Sequence, residues 1–167
     1  MQAATSPLPQ RGKKVLVLGD DDRMVLPIVR SLARQGIEVH LAWCQQADPT
    51  ARSRYIQCHH DLPWPTSPGG TWLKTLNVLV ERENFTLVIP ATEQATFALQ
   101  SHREELTAQD RFYLLSQSAF EAVADKRSTH ALCEELQIPY PQTFSLDDAD
   151  DFERAAAALG ETIIVKP

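Results

Sequence analysis

The sequence holds no apolar run approaching the ~18 residues that suggest a membrane-spanning helix. Its start, Met1 to Lys14, is polar, carries Pro7 and Pro9, and lacks the apolar h-region of a secretory leader. Cysteine is scarce. Cys44, Cys58 and Cys133 are odd in number, far apart and in no CxxC pair. That argues against a disulfide framework and fits a reducing, cytoplasmic setting. Positive charge is short too: 16 Lys+Arg against 22 Asp+Glu leave a formal charge of −6. A general nucleic-acid binder needs a basic footprint to engage phosphates. The expectation is a cytoplasmic chain with neither membrane nor nucleic acid as partner.

What is present is globular. Hydrophobic residues make up 43% and charged residues 23%, and 167 residues suffice to bury a core without staples. Residues 1–12 read as a disordered tail. Lys14 to Leu18 (KVLVL) is a short β-branched apolar run, hence a buried strand. Arg23 to Gln35 has a helical apolar face of Val25, Ile28, Val29, Leu32 and Ala33, with Pro27 near its first turn and Gly36 as its stop. Glu38 to Trp43 is a second strand. This strand–helix–strand unit of about thirty residues predicts an α/β fold with a parallel sheet.

Further along, a short strand is expected around Tyr55 to Cys58, then a helix over Thr71 to Arg82. A third clear strand spans Thr86 to Pro90, a helix starts at Thr92, another strand covers Phe112 to Leu115, and Ser118 to Ala124 is a short helix. Asp125 opens an amphipathic helix through Leu136, which Ile138-Pro139-Tyr140-Pro141 ends. Asp147 to Leu159 reads as a helix and Thr162 to Val165 as a last strand. The pattern changes near Asp125, which divides the chain into 13–124 and 125–167.

The first strand–loop–helix lies where a Rossmann fold binds a dinucleotide, but its chemistry differs. A G-x-G-x-x-G loop lets backbone N–H groups approach a pyrophosphate. Here Gly19 precedes Asp20, Asp21 and Asp22, whose carboxylates repel it. One of them can cap the helix; the loop also stands at the carboxyl ends of the strands, where open α/β sheets bind ligands. Thr92 and Glu93 combine the same two roles, N-cap and first-turn acid, at a central strand end. No metal site is read. His59 and His60 are adjacent, with no Cys or carboxylate at ligand spacing, and His40, His102 and His130 are scattered. No G-x-S-x-G elbow exists, and no catalytic set is assigned.

The most specific signal is an order of segments. Ala124-Asp125-Lys126 begins a helix, Gln137-Ile138-Pro139-Tyr140-Pro141 follows it, and after an acidic helix comes Ile163-Ile164-Val165-Lys166-Pro167. This resembles the opening of the ATP-grasp fold, where a D-K, a helix, a G-I-P-x-P-like turn and a V-V-K-P strand recur in this order; Gln137 replaces the usual Gly. Upstream, VLVLGDD, G-I-E-V, Ser53-Arg54-Tyr55 and an I-P-x-T-E resemble the pre-ATP-grasp domain. The pairing is most similar to carbamoyl-phosphate-synthase-like carboxylate–amine ligases, over Lys14 to Pro167.

The resemblance implies a Rossmann-like parallel sheet with helices on both faces, followed by a small incomplete α/β segment, the start of the ATP-grasp A subdomain. It implies ATP and Mg²⁺ as cofactors, small-molecule carboxylate and amine substrates, and acyl-phosphate chemistry. Lys126 and Lys166 match the lysines that reach the nucleotide's phosphates, where an ammonium offsets phosphate charge. Gly19, Asp20, Asp21, Thr92 and Glu93 fall on the substrate side. The phosphate lid and the Mg²⁺ ligands are expected beyond this segment, so the 167 residues alone are expected not to catalyse ligation. The family often dimerises, which makes a second copy a candidate partner. Two alternatives stand beside this: a receiver-like phosphoacceptor module, from the GDDD start and Lys-Pro end, and a degenerate, non-catalytic ATP-grasp binding domain.

Overall fold

The computed structural model describes residues 12–67, 69–146, 149–160 and Ile164. The chain divides into two compact units, 1–115 and 116–167. No described helix is long and apolar enough to cross a membrane.

In the first unit β1 (Lys14–Leu18), α1 (Asp22–Arg34), β2 (Glu38–Ala42), β3 (Cys58–His60), α2 (Trp72–Glu83), β4 (Leu87–Pro90) and α3 (Glu93–Ser101) follow one another. The four strands form a wholly parallel sheet in the order β3-β2-β1-β4. The chain steps from β1 outward to β2 and β3, then returns across β1 to β4. The strand order therefore reverses between β1 and β4.

Strand alternation distributes the core. Val15 and Val17 of β1, with Val39 and Leu41 of β2, bury against Val25 and Val29 of α1. Leu16, Leu18 and Ala42 face the other way and pack with Trp72, Leu76 and Val80 of α2, and Ala95 and Leu99 of α3. Helices thus cover both faces, which a parallel sheet requires. Each fully buried aliphatic side chain contributes roughly 1.5–3 kcal/mol. Pro27 lies in the second turn of α1 rather than the first, on its exposed side, and the helix continues through it at the loss of one backbone rung.

Three expectations shift. The strand expected around Tyr55 to Cys58 runs instead from Cys58 to His60, because Gln57 N–H already bonds Val39 O and pairing with β2 starts there. Phe112 to Leu115 contributes one parallel bridge, Val88 with Phe112, rather than a strand. The expected tail lies, apart from Gly12, outside the described residues, as do Asp147, Asp148 and, except for Ile164, the expected strand 162–165; Ile164 is exposed and in no strand.

In the second unit α4 (Gln117–Ala124) packs on α5 (Lys126–Glu135), and α6 (Ala149–Leu159) follows. Asp125 caps α5, its carboxylate accepting from Arg127 N–H at 3.1 Å. Thr129 Oγ1, 3.0 Å from both Ala122 O and Asp125 O, ties the two helices at their junction. α5 ends with Ile138 N–H bonding Cys133 O at 2.8 Å while Gln137 takes φ 55°. That left-handed position after a helix favours glycine. A side chain there costs about 1 kcal/mol. Gln137→Gly should therefore raise the stability of this unit by about 1 kcal/mol, read from denaturant midpoints; an unchanged or lower midpoint would contradict the assignment.

Candidate functional site

The carboxyl ends of the strands gather the polar side chains of the first unit. Gly19 closes β1, its N–H bonding Ala42 O at 3.1 Å, while Ala91 N–H bonds Leu18 O at 2.8 Å. Gly19 has φ +146°, and a Cβ on it would lie 2.7 Å from Thr92 Cγ2. The two loops at the strand-order reversal thus touch, and only glycine permits that approach. Thr92 cannot simply turn aside. Its Oγ1 accepts from Ala95 N–H at 3.3 Å and caps α3.

Asp21 is the N-cap of α1. Its carboxylate accepts from Arg23 N–H at 3.0 Å and from the Arg23 guanidinium at 2.9 and 3.2 Å. These hydrogen bonds hold Asp21 below the usual carboxylate range and lift Arg23. Asp20 is exposed beside it. Across the loop, Asp48 accepts from Thr50 N–H at 2.8 Å. A hollow of about 390 Å³ is lined by Asp20, Asp21, Asp22, Arg23, Asp48 and Pro49. Four aspartates against one arginine favour a cationic group and repel phosphate.

A second hollow, about 230 Å³, lies among Trp43, Gln45, Gln46, His59, Asp61 and Trp64. Trp43 leaves β2 at φ 55°, a strained conformation for a bulky residue. Its indole holds that position by donating to Pro63 O at 2.9 Å and meeting Trp72 edge-on at 5.6 Å. His59 Nε2 lies 2.6 Å from Cys44 O. Cys44 also lines this hollow, and burial together with Asp48 and Asp20 pushes its thiol up to about 11. It is therefore a thiol, not a thiolate nucleophile, at neutral pH.

Of the residues singled out from sequence, Gly19 and Thr92 meet, and Asp20 and Asp21 share the first hollow. Glu93 is exposed in the first turn of α3 and lines neither hollow. Lys126 is the exposed first residue of α5, in the second unit. Lys166 lies outside the described residues. Asp48, Trp43 and Trp64 escaped sequence reading, since nothing but their place after a strand marks them. A receiver-type acceptor is missing, for β4 ends on Pro90 followed by Ala91 and Thr92.

The fold brings together a group of metal-ligating side chains that spacing along the chain does not show. The ligand atoms of His40, Cys58 and His60 lie within 4.8 Å of one another. Cys58 and His60, two apart on a strand, share a face, and β2–β3 pairing sets His40 opposite Cys58. Burial and the neighbouring His40 hold His60 below the ordinary imidazole range.

Gly19→Ala should destabilise the chain by about 3 kcal/mol. With Thr92→Ser, which keeps the capping hydroxyl and removes the methyl, the loss should fall about 1 kcal/mol short of the sum of the two single changes. Strict additivity in denaturant melts would show that this contact does not fix the loops. Cys44 should alkylate at pH 8 about 100-fold more slowly than an ordinary thiol. Asp48→Asn removes an anion, lowers the thiol's pKa and should speed that reaction.

No protein-family model and no curated protein matches the chain. Solved structures do. The biotin carboxylase domain of Hydrogenobacter thermophilus 2-oxoglutarate carboxylase, a dimer in complex with MgADP, ADP and bicarbonate, is 16% identical at TM-score 0.58, over 91% of this chain and 34% of that one. L-amino acid ligase from Bacillus licheniformis is 13% identical at TM-score 0.54, over 90% of this chain and 43% of that one. Urea carboxylase of Kluyveromyces lactis is 16% identical at TM-score 0.54, over 77% of this chain and 11% of that one. The chain thus spans about a third of the length of the biotin carboxylase domain (34%). All three proteins are ATP-grasp superfamily members. The α/β fold of this chain, with its wholly parallel four-stranded sheet, matches the Rossmann-like N-terminal domain of biotin carboxylase.

Proposed function

We propose that this chain is the N-terminal, substrate-side part of an ATP-grasp ligase that activates a carboxylate as an acyl phosphate for attack by an amine or similar nucleophile. The carrying observation is a carboxylate-lined hollow between the loops that follow β1 and β2, at the carboxyl ends of a Rossmann-like parallel sheet, in a chain that continues into the capped Asp125-Lys126 helix start. The similarity to ATP-grasp carboxylases and a ligase supports it.

The charges divide the work. The aspartates around Asp20 suit an ammonium group and would hold the amine substrate by charge, while Gly19 and Thr92 keep the two loops in register. That loop does not fit a nucleotide phosphate. Lys126 does fit one: an exposed ammonium at the first position of a helix, where the dipole also favours an anion. Lys166 is assigned the same role by its place in the V-K-P segment. ATP with Mg²⁺ would supply the transferable phosphoryl group and neutralise its charge. The dimeric H. thermophilus domain supports a homodimer.

The test uses the full-length protein and follows ADP release across a panel of carboxylates and amines. Lys126→Ala should raise the KM for ATP about tenfold, the loss of one charged contact worth about 1.5 kcal/mol. Asp20→Asn should raise the KM for the amine and leave that for ATP unchanged. Both side chains are exposed, so neither change should disturb folding. No ADP release from any pair of substrates, or ATP kinetics indifferent to Lys126, would overturn the reading.

A further inference from the structure

On the sheet face that carries α2, three side chains converge that the ligase reading does not use. His40, in the middle of β2, is 3% exposed. Its Nδ1 lies 2.7 Å from His60 Nε2, and the two rings stack with centroids 5.0 Å apart. Cys58, the register partner of His40, completes the group, with all three ligand atoms within 4.8 Å of one another. The other ring nitrogen of His40, Nε2, is 2.8 Å from Glu38 Oε1.

That last contact decides which lone pair is on offer. With the Glu38 carboxylate accepting the Nε2–H, neutral His40 presents its lone pair at Nδ1, toward Cys58 and His60. A carboxylate behind a histidine is the usual support of a metal-ligating imidazole. Phe85 meets both rings edge-on, at 5.1 and 6.1 Å, and walls the group on one side. Cys58 and His60 are only half-buried, on the strand at the end of the described sheet order, which leaves a way in.

We propose that His40 Nδ1, His60 Nε2 and Cys58 Sγ form a three-ligand site for a divalent ion of the zinc class, with a fourth position left to water. Two imidazoles and a thiolate are the donor set such an ion takes, at bond lengths of about 2.0–2.3 Å. At tetrahedral angles those lengths place ligand atoms roughly 3.3–3.8 Å apart. From 2.7 Å the histidine pair must open by less than an ångström, and from within 4.8 Å the sulfur must close by at most about 1.5 Å, within the reach of side-chain rotation. On binding, the proton shared between the two rings moves to His60 Nδ1 or to solvent, and the Cys58 proton leaves to solvent. The metal takes the place of the ring–ring hydrogen bond.

The probe is Co²⁺ added to the reduced protein, followed by absorption. One equivalent should produce a thiolate-to-cobalt charge-transfer band with the visible bands of four-coordinate cobalt, and Zn²⁺ should abolish them by displacement. Cys58→Ser should erase the charge-transfer band. His60→Ala should weaken Co²⁺ binding by at least about tenfold. Circular dichroism of each metal-free variant should match the parent, since both residues are half-buried and neither change adds bulk. Cys133→Ser, in the other unit, should leave the band intact. Absence of a band at one equivalent, its survival in Cys58→Ser or its loss in Cys133→Ser would overturn the proposal.

Discussion

The first unit depends on one strand hydrogen-bonded along both edges. β1 pairs with β2 from Lys14 to Leu18 and with β4 from Val15 to Leu18. Every residue of Val15 to Leu18 is buried, so the strand tolerates no polar side chain and no proline within it. Its two-residue period assigns valines to one helical layer and leucines to the other. Its length fixes where the backbone must turn, and therefore where Gly19 and the aspartates stand. The charged rim is a consequence of where an apolar strand stops.

That part of the molecule was legible because it is redundant. Apolar run, helix face, glycine stop and cap all agree from Lys14 to Gly36, and apolar run and cap again from Thr86 to Gln100. β3 was less legible. It has three residues, half-buried and polar, so neither alternation nor apolarity marks it. An expected strand over Tyr55 to Cys58 leaves His59 and His60 in a loop, where two neighbouring histidines mean little. The true position gives them opposite faces: His59 turns to Cys44 O and His60 to His40. A shift of a few residues thus hid the histidine–cysteine group. Phe112 was misjudged for another reason. Its burial is real, but it arises from one bridge to Val88 and from side-chain packing, not from a run of ladder bonds.

The site was legible in its capping chemistry and not in its walls. Asp21 and Thr92 read as caps because caps obey local rules, and both make those hydrogen bonds. Asp48 joins the aspartates of the first hollow, and Trp43 and Trp64 line the second, only through the crossover geometry of β2 and β3, which no short spacing encodes. The electrostatics follow from that convergence. Burial first, and then carboxylates from two separate loops, raise the Cys44 thiol, an effect neither loop predicts alone.

The contact between Gly19 and Thr92 also bears on how such a domain could change its specificity over time. These two loops share a single fitted surface, so a new side chain at Gly19 demands an accommodating one at Thr92, which in turn holds the start of α3. Variation there must come in pairs. The segments after β2 and β3 are joined through the Trp43 indole and Pro63 O, but Gln45, Gln46 and Asp61 on them are exposed. They are the places where single substitutions could retune a binding surface while the sheet beneath it stays as it is.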